Sequence, residues 1–262
     1  MSQLINKLKA ITKSAPQPIG FHKAQPVLPK PKMLLITSLP QPTSNARLAD
    51  YAKDSDAILL RFDKSSEKNG GQPEPVHSLP NIPWGKWIED VDEKDARKMT
   101  DAGCDFAVFP PNSTVSALGQ GKKIGKILQI ESSIGDGLLR TLNELPVDAV
   151  LIPAGKDKET RLTWRHLMLF QRSANILTKP LLVTLPPNIT ANEIRLLWEA
   201  GIDGIIITTG DDLQENKPAE LRRAIAELDR LPPRKRGKTE ALLPHVSEEI
   251  KTVEDSEEEE DY

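Results

Sequence analysis

Two charged residues stand at the ends of apolar runs, Arg61 in AILLRFD and Glu131 in KILQIE. Side chains alternate between the two faces of a β-strand, so Arg61 shares a face with Leu59, and Glu131 shares a face with Gln129. A buried charge is costly unless protein or ligand partners it. The guanidinium of Arg61 is suited to bind a phosphate or carboxylate, and Glu131 is suited to act as a general acid or base. In the alternative interpretation, the two side chains satisfy one another in an internal polar layer.

Other polar residues follow the apolar runs and are candidates for ligand binding. In WGKWIE, the alternation leaves open whether Lys86 or Glu89 faces inward, and an inward lysine could form a Schiff base. The full set comprises Thr37 and Ser38, Arg61 and Asp63, Glu89 and Asp90, Asn112 and Ser113, Glu131 and Ser132, Lys156, Thr184 and Asn188, and Thr208 to Asp212. Of these, we select Asp63, Glu89 and Asn112 as ligand contacts in addition to the pair above.

Several common chemistries find no support in the sequence. None of the four histidines follows an apolar run, and no HxH, HExxH or paired-cysteine spacing occurs, so we predict no metal site built on histidine or thiolate. A Mg²⁺ held by carboxylates and substrate oxygens stays open. The single cysteine, Cys104, is expected to be a small buried thiol. No GxGxxG, P-loop or GxSxG motif is present, and the cofactor is left unknown.

Eight apolar runs are predicted to be β-strands. They begin near Met33, Ala57, Trp84, Asp105, Lys126, Asp148, Leu181 and Asp203. Helical patterns separate most of them, and this alternation requires parallel pairing. Eight units favour a closed (β/α)8 barrel over an open doubly wound sheet, because closure leaves no edge strand. We predict the barrel over residues 32–232, with its functional face at the strand C-terminal ends.

Two units of this barrel depart from the pattern. Residues 63–83 are polar and rich in glycine and proline, so a long loop is expected where the second helix should stand. The helix expected at 114–118 is weak, because SALGQGKK contains two glycines.

The two ends of the chain are predicted to lie outside the barrel. Residues 1–31 combine an amphipathic helix at 3–13 with a proline-rich connector. We expect the helix to pack on the protein, for which the barrel bottom is one option, and contact with a membrane surface is the alternative. Residues 233–262 form a charged tail that we predict to be disordered and a candidate contact for a protein partner. The formal net charge of -3 gives no reason to expect a specific nucleic acid. With no signal or transmembrane segment recognised, we expect a cytoplasmic protein.

The phrases AGCDFAVF and AGIDGIIITTG resemble sequences of phosphate-binding and flavin-linked (β/α)8 barrels. Those families bind phosphate through the loops after strands seven and eight. The resemblance implies that Thr208, Thr209 and Gly210 bind an anion.

We therefore predict that a small anionic metabolite binds at the strand C-terminal mouth, with lyase or isomerase chemistry in which Arg61 holds the anion and Glu131 moves a proton. One alternative is a barrel without catalysis that acts as a scaffold or partner-binding module, which the charged tail favours. The other is a flavin-linked oxidoreductase.

Overall fold

The computed structural model describes ten segments of the chain. They are residues 2–12, 31–40, 45–61, 82–88, 93–114, 124–153, 161–186, 188–209, 217–232 and 234. Asp63, Glu89 and Gly210 lie outside these segments, as do most of the proline-rich connector and all of the tail except Arg234. The predicted domain limits therefore stay predictions.

The predicted strands form one closed parallel sheet. The strands are β1 Leu34–Pro40, β2 Ala57–Arg61, β3 Trp84–Trp87, β4 Phe106–Phe109, β5 Gly125–Gln129, β6 Ala149–Pro153, β7 Leu181–Leu185 and β8 Gly204–Thr208. They pair in chain order, and β1 also pairs with β8. This last pairing confirms the barrel and excludes the open sheet.

Helices follow most of the strands. They are α1 Gln3–Thr12, α2 Asn45–Asp54, α3 Glu93–Asp101, α4 Asp136–Thr141, α5 Trp164–Ile176, α6 Ala191–Glu199 and α7 Lys217–Glu227, and α7 is followed by a 3-10 turn at Leu228–Arg230. Within the described segments, no helix stands between β2 and β3 or between β4 and β5, although most of each connection lies outside them. None of the helices so described is long and apolar enough to cross a membrane.

Helix α1 lies across the N-terminal end of the barrel. Its residues Leu4, Ile5 and Leu8 are buried in the same apolar cluster as the inner side chains of the strands. The amides of Gln3 and Leu4 donate to the carboxylate of Asp105, at 2.7 and 2.9 Å, which satisfies donors that a helix start leaves open. The amphipathic N-terminal helix thus closes the bottom of the barrel.

Aspartates that precede alternate strands connect neighbouring strands at this bottom face. Asp56, before β2, accepts the amide of Leu35 at 2.9 Å. Asp203, before β8, accepts the amide of Leu181 at 3.0 Å, and Asp148 accepts that of Lys126 at 3.1 Å. The aspartate in AGIDGIIITTG is therefore explained by strand pairing, and the aspartate in AGCDFAVF by its hydrogen bonds to the start of α1.

The glycines of the two repeated phrases have left-handed backbones. Gly103 has φ 79° and Gly201 has φ 98°, each just after a helix. Residues with a Cβ rarely adopt such angles, so glycine ends α3 and α6 where the chain must turn toward the next strand.

Candidate functional site

The inner face of the barrel changes from apolar to polar at the strand C-terminal ends. Deeper inside, the inner side chains form an apolar cluster that includes Leu59, Ile127 and Ile206. A step of two residues along a strand keeps the same face, which identifies the next inner positions. We term them the mouth layer: Ser38 on β1, Arg61 on β2, Trp87 on β3, Gln129 on β5, Pro153 on β6, Thr184 on β7 and Thr208 on β8.

Arg61 packs on Trp87 in this layer. The two residues are register partners in the β2–β3 pair, and the guanidinium carbon lies 4.5 Å from the centroid of the indole ring. This cation–π contact holds the guanidinium over the indole ring. Arg61 is exposed at the C-terminal end of β2.

Three hydroxyls lie on the adjoining strands. Ser38 and Thr208 are register partners in the β1–β8 pair, and Thr184 lies on β7, which pairs with the other side of β8. Ser38 is fully buried, and its hydroxyl oxygen finds no hydrogen-bond partner in the part of the chain that the structure describes. A buried hydroxyl of this kind calls for a partner, such as a water or a ligand.

Thr209 was predicted to bind the ligand, but in the structure its hydrogen bonds stabilise the fold. Its backbone amide donates to the carbonyl oxygen of Ser38 at 2.8 Å, and its hydroxyl donates to the same oxygen at 3.1 Å. Both donors of Thr209 therefore tie the end of β8 to β1 and position Ser38.

The remaining predicted contacts differ in their surroundings. Thr208 is half-buried in the mouth layer. Asn112 is exposed in the turn that follows β4. The structure thus brings Thr208 and Arg61 to the same inner layer, on strands that both flank β1.

Glu131 lies two residues beyond the end of β5. It is exposed and accepts a hydrogen bond from the Ser133 hydroxyl at 3.3 Å. Glu131 also lines a cavity on the outer face of the barrel. The contacts of Glu131 are thus separate from those of Arg61 with Trp87, and its predicted role in proton transfer stays a prediction.

That outer cavity, which we term the β5 groove, has a volume of about 530 Å³. It lies between the outer face of β5 and α4, and apolar side chains dominate its lining. Among them are Phe109, Leu128, Ile130, Ile134, Leu138 and Leu142. No pattern in the sequence predicted this groove, since it lies where the weak helix after β4 was expected.

Cys104 and Lys86 lie outside the barrel interior. Trp87 faces inward, so its neighbour Lys86 faces outward, and the idea of an inward Lys86 forming a Schiff base is wrong. Cys104 belongs to an apolar cluster on the outer side of β4, and burial raises the pKa of its thiol to about 12. At neutral pH the thiol is protonated, as expected for a structural cysteine.

The described part of the chain offers no group of three His, Cys, Asp or Glu side chains placed to hold a metal ion. His166 takes part in a capping box at the start of α5, where its Nδ1 accepts the amide of Thr163 at 3.2 Å. Burial lowers the pKa of its imidazole. Its position is explained by the helix start.

Comparison with known proteins identifies the fold. No family model matches the chain, and no curated protein matches it either. Among solved structures, tryptophan synthase from M. tuberculosis is 13% identical with a TM-score of 0.60, and the match covers 86% of this chain and 97% of that chain. The chain is a (β/α)8 barrel.

Two further neighbours come from Pyrococcus furiosus. The tryptophan synthase alpha-subunit is 12% identical with a TM-score of 0.57, and the match covers 74% of this barrel chain and 97% of that one. Thiamine phosphate pyrophosphorylase is 11% identical with a TM-score of 0.56, with coverage of 74% and 96%. At such identities the likeness establishes the architecture and no activity.

Proposed function

We propose that this barrel binds a small anionic metabolite, carrying a phosphate or a carboxylate, at its strand C-terminal mouth. The observation that carries the proposal is the buried Ser38 hydroxyl, which has no hydrogen-bond partner among the described residues. An anion above Ser38 would supply the missing acceptor.

The neighbours of Ser38 support an anion rather than a cation. Strands β7, β8, β1 and β2 are adjacent in that order, and their mouth-layer residues are Thr184, Thr208, Ser38 and Arg61. Three of these are hydroxyl donors and the fourth is a guanidinium, a fixed positive charge with planar donors suited to oxyanions. No carboxylate stands among the mouth-layer residues.

The fold adds general support, because ligands of (β/α)8 barrels bind at this end of the strands. One structural neighbour, thiamine phosphate pyrophosphorylase, is named for a phosphate compound. Lyase or isomerase chemistry with Glu131 as the proton carrier remains the finer hypothesis, and it has less support than binding because Glu131 lines the outer groove.

The proposal is tested by measuring the thermal stability of the full chain with inorganic phosphate and with malate. A ligand that binds the native state raises the melting temperature. We expect at least one of the two anions to do so, and we expect Arg61→Ala to weaken its binding about 10- to 100-fold, the usual value of a charge-assisted hydrogen bond.

The control is Arg195→Ala, which removes an exposed arginine paired with Glu199 on the outer helix α6 and outside the mouth layer. It should leave anion binding unchanged. Equal losses in Arg61→Ala and Arg195→Ala would mean non-specific charge attraction, and no effect of Arg61→Ala would refute the proposed site.

A further inference from the structure

The side chains of the mouth layer stand at two heights along the barrel axis. Strands of a (β/α)8 barrel are tilted, so inner side chains at one height come from alternate strands. They are located by following the register from strand to strand and advancing one residue at each step. From Ser38 this path meets inner positions on β3, β5 and β7 and closes on Ser38 again. The lower tier is therefore Ser38, Trp87, Gln129 and Thr184.

The same path from Arg61 gives an upper tier on the even-numbered strands. It consists of Arg61, Pro153 and Thr208, joined by Pro110 just beyond the end of β4. The inner positions below the lower tier are fully buried and belong to the apolar cluster of the barrel interior; they are Leu59, Val108, Leu151 and Ile206. A ligand at the mouth thus rests on an apolar floor.

The two halves of the mouth differ in chemistry. On β7, β8, β1 and β2 the tiers carry three hydroxyls and the guanidinium of Arg61. On the other four strands they carry an aromatic ring, two prolines and one amide, which belong to Trp87, Pro110, Pro153 and Gln129. A proline side chain has no hydrogen-bonding atom, and an indole has only its N–H donor. Among the side chains of this half, only Gln129 can both donate and accept.

Residues four strands apart face each other across the barrel. Ser38 lies opposite Gln129, and Arg61 lies opposite Pro153. An anion held beside Ser38 and Arg61 therefore directs the rest of its molecule toward the apolar half, with the Gln129 amide at the far end.

We propose that the anion bound at the mouth is joined to an apolar ring with a single polar group at its far end, and that the ligand is not a polyhydroxylated compound such as a sugar phosphate. This inference rests on the anion binding proposed above. The apolar half removes the ring from water, which favours binding. The hydroxyls of a sugar lose their water against the prolines and the indole, where Gln129 is the one side chain that can replace it fully.

Trp87 connects the two halves of the mouth. Its ring lies 4.5 Å from the guanidinium carbon of Arg61 on the anion side. Trp87 is also half-buried against the inner apolar cluster. It thus positions the charge and supplies apolar surface to the ring of the ligand, so it determines specificity.

The test compares anions of similar charge that differ in their bodies, by calorimetric titration of the full chain. Phenyl phosphate should bind at least about 10-fold more tightly than inorganic phosphate, and glucose-6-phosphate should gain nothing over inorganic phosphate. If the site prefers a carboxylate, benzoate and gluconate are the corresponding pair. A para-hydroxyl group on either ring should tighten binding, and Gln129→Leu should abolish that gain.

Two variants test the apolar half. Trp87→Leu should reduce the preference for phenyl phosphate over inorganic phosphate by about 3- to 10-fold, because leucine covers less of the ring. The matched control Trp164→Leu, at an exposed tryptophan on α5, should leave this preference unchanged. Pro153→Ser adds a hydroxyl to the apolar half and should narrow the gap between phenyl phosphate and glucose-6-phosphate. Circular dichroism verifies that each variant is folded.

The outcomes separate this inference from anion binding itself. If anions bind in an Arg61-dependent way but the sugar acid or sugar phosphate binds as tightly as its ring-bearing counterpart, the apolar ring is refuted and anion binding stands. An unchanged preference in Trp87→Leu would overturn the placement of the ring beside Trp87. If no anion binds, or if benzyl alcohol binds as tightly as phenyl phosphate, both proposals are wrong.

Discussion

At the scale of single residues, Ser38 and Thr209 show how two neighbouring hydroxyls are used differently. The Thr209 hydroxyl donates to the Ser38 carbonyl oxygen at 3.1 Å, while the Ser38 hydroxyl has no partner among the described residues. A buried hydroxyl without a partner costs about 1–3 kcal/mol. The Thr209 hydroxyl therefore stabilises the fold, whereas the buried Ser38 hydroxyl lowers the free energy of unfolding.

Opposite effects on stability are therefore expected from Ser38→Ala and Thr209→Val. Without ligand, Ser38→Ala should raise the free energy of unfolding by up to about 1 kcal/mol, and Thr209→Val should lower it by about 1 kcal/mol. Urea unfolding measures both. A loss in Ser38→Ala as large as in Thr209→Val would contradict the assignment, because it would mean that the Ser38 hydroxyl already has a partner.

A pH dependence is expected from Cys104. Burial raises the pKa of its thiol from the ordinary value of 9.0 to about 12 in the folded protein, so between these values the unfolded chain loses a proton that the folded chain keeps. The free energy of unfolding should then fall as the pH rises above about 9. Urea unfolding of the wild type and of Cys104→Ala between pH 8 and pH 10 measures this fall. Identical slopes of the free energy of unfolding against pH in the two proteins would refute the expectation. This pH range of about 8–10 brackets the pKa of the thiol in the unfolded chain.

The sequence could locate Arg61 but not its stacking partner. The alternation in AILLRFD has one phase, because Arg61 and Asp63 fall on one face while the apolar Phe62 falls on the other. In WGKWIE both phases are plausible, and only the register of β3 with β2 and β4 turns Trp87 inward. Glu131 lies beyond the last residue of β5, where the two-residue period no longer determines the direction of a side chain.

At the scale of elements, α1 packs against the start of β5, where a glycine leaves room for the helix. A Cβ added to Gly125, at the start of β5, would come within 2.5 Å of Ile5 Cγ1 and 2.7 Å of Ser2 Oγ. The helix was predictable from the spacing of Leu4, Ile5 and Leu8, but this close approach was not, since a glycine in a strand has several explanations.

Gly125→Ala should destabilise the protein by about 1–3 kcal/mol, because the added methyl group overpacks the contact with α1. The matched control is Gly137→Ala inside α4, where an added Cβ meets nothing within 4 Å. This control should raise stability by about 0.5–1 kcal/mol, since alanine favours a helix more than glycine does.

Thermal unfolding compares the two substitutions, and the double variant Gly125→Ala with Ile5→Ala should lose less stability than the sum of the two single losses. If Gly125→Ala were neutral, the close packing of α1 on β5 would be wrong.

At the scale of the whole molecule, the described chain ends where it is tied to the barrel bottom. The guanidinium of Arg234 donates to the carbonyl oxygens of Trp198 and Ile202, at 2.9 and 2.8 Å, and to the carboxylate of Asp203. Asp203 is fully buried and precedes β8. Arg234 thus neutralises a buried charge at the start of the strand that completes the barrel.

Arg234→Ala should lower the free energy of unfolding by about 3 kcal/mol or more, because it leaves the buried Asp203 without this cation. Arg234→Lys should recover only part of the loss, since an ammonium cannot reproduce the planar fork. Arg195→Ala, at an exposed pair on α6, should cost about 0.5 kcal/mol or less. Urea unfolding separates these outcomes, and equal effects of Arg234→Ala and Arg195→Ala would contradict the role assigned to Arg234.

The pairing of β1 with β8 has a consequence for synthesis on the ribosome. Leu34 of β1 pairs with Gly204 of β8, so the sheet cannot close until β8 has been synthesised. Contacts between residues so far apart in sequence form slowly. Until then a nascent chain has two open sheet edges, which are prone to pair with other chains. We expect a pause placed before β8 to make this protein more dependent on chaperones than the same pause placed after residue 234.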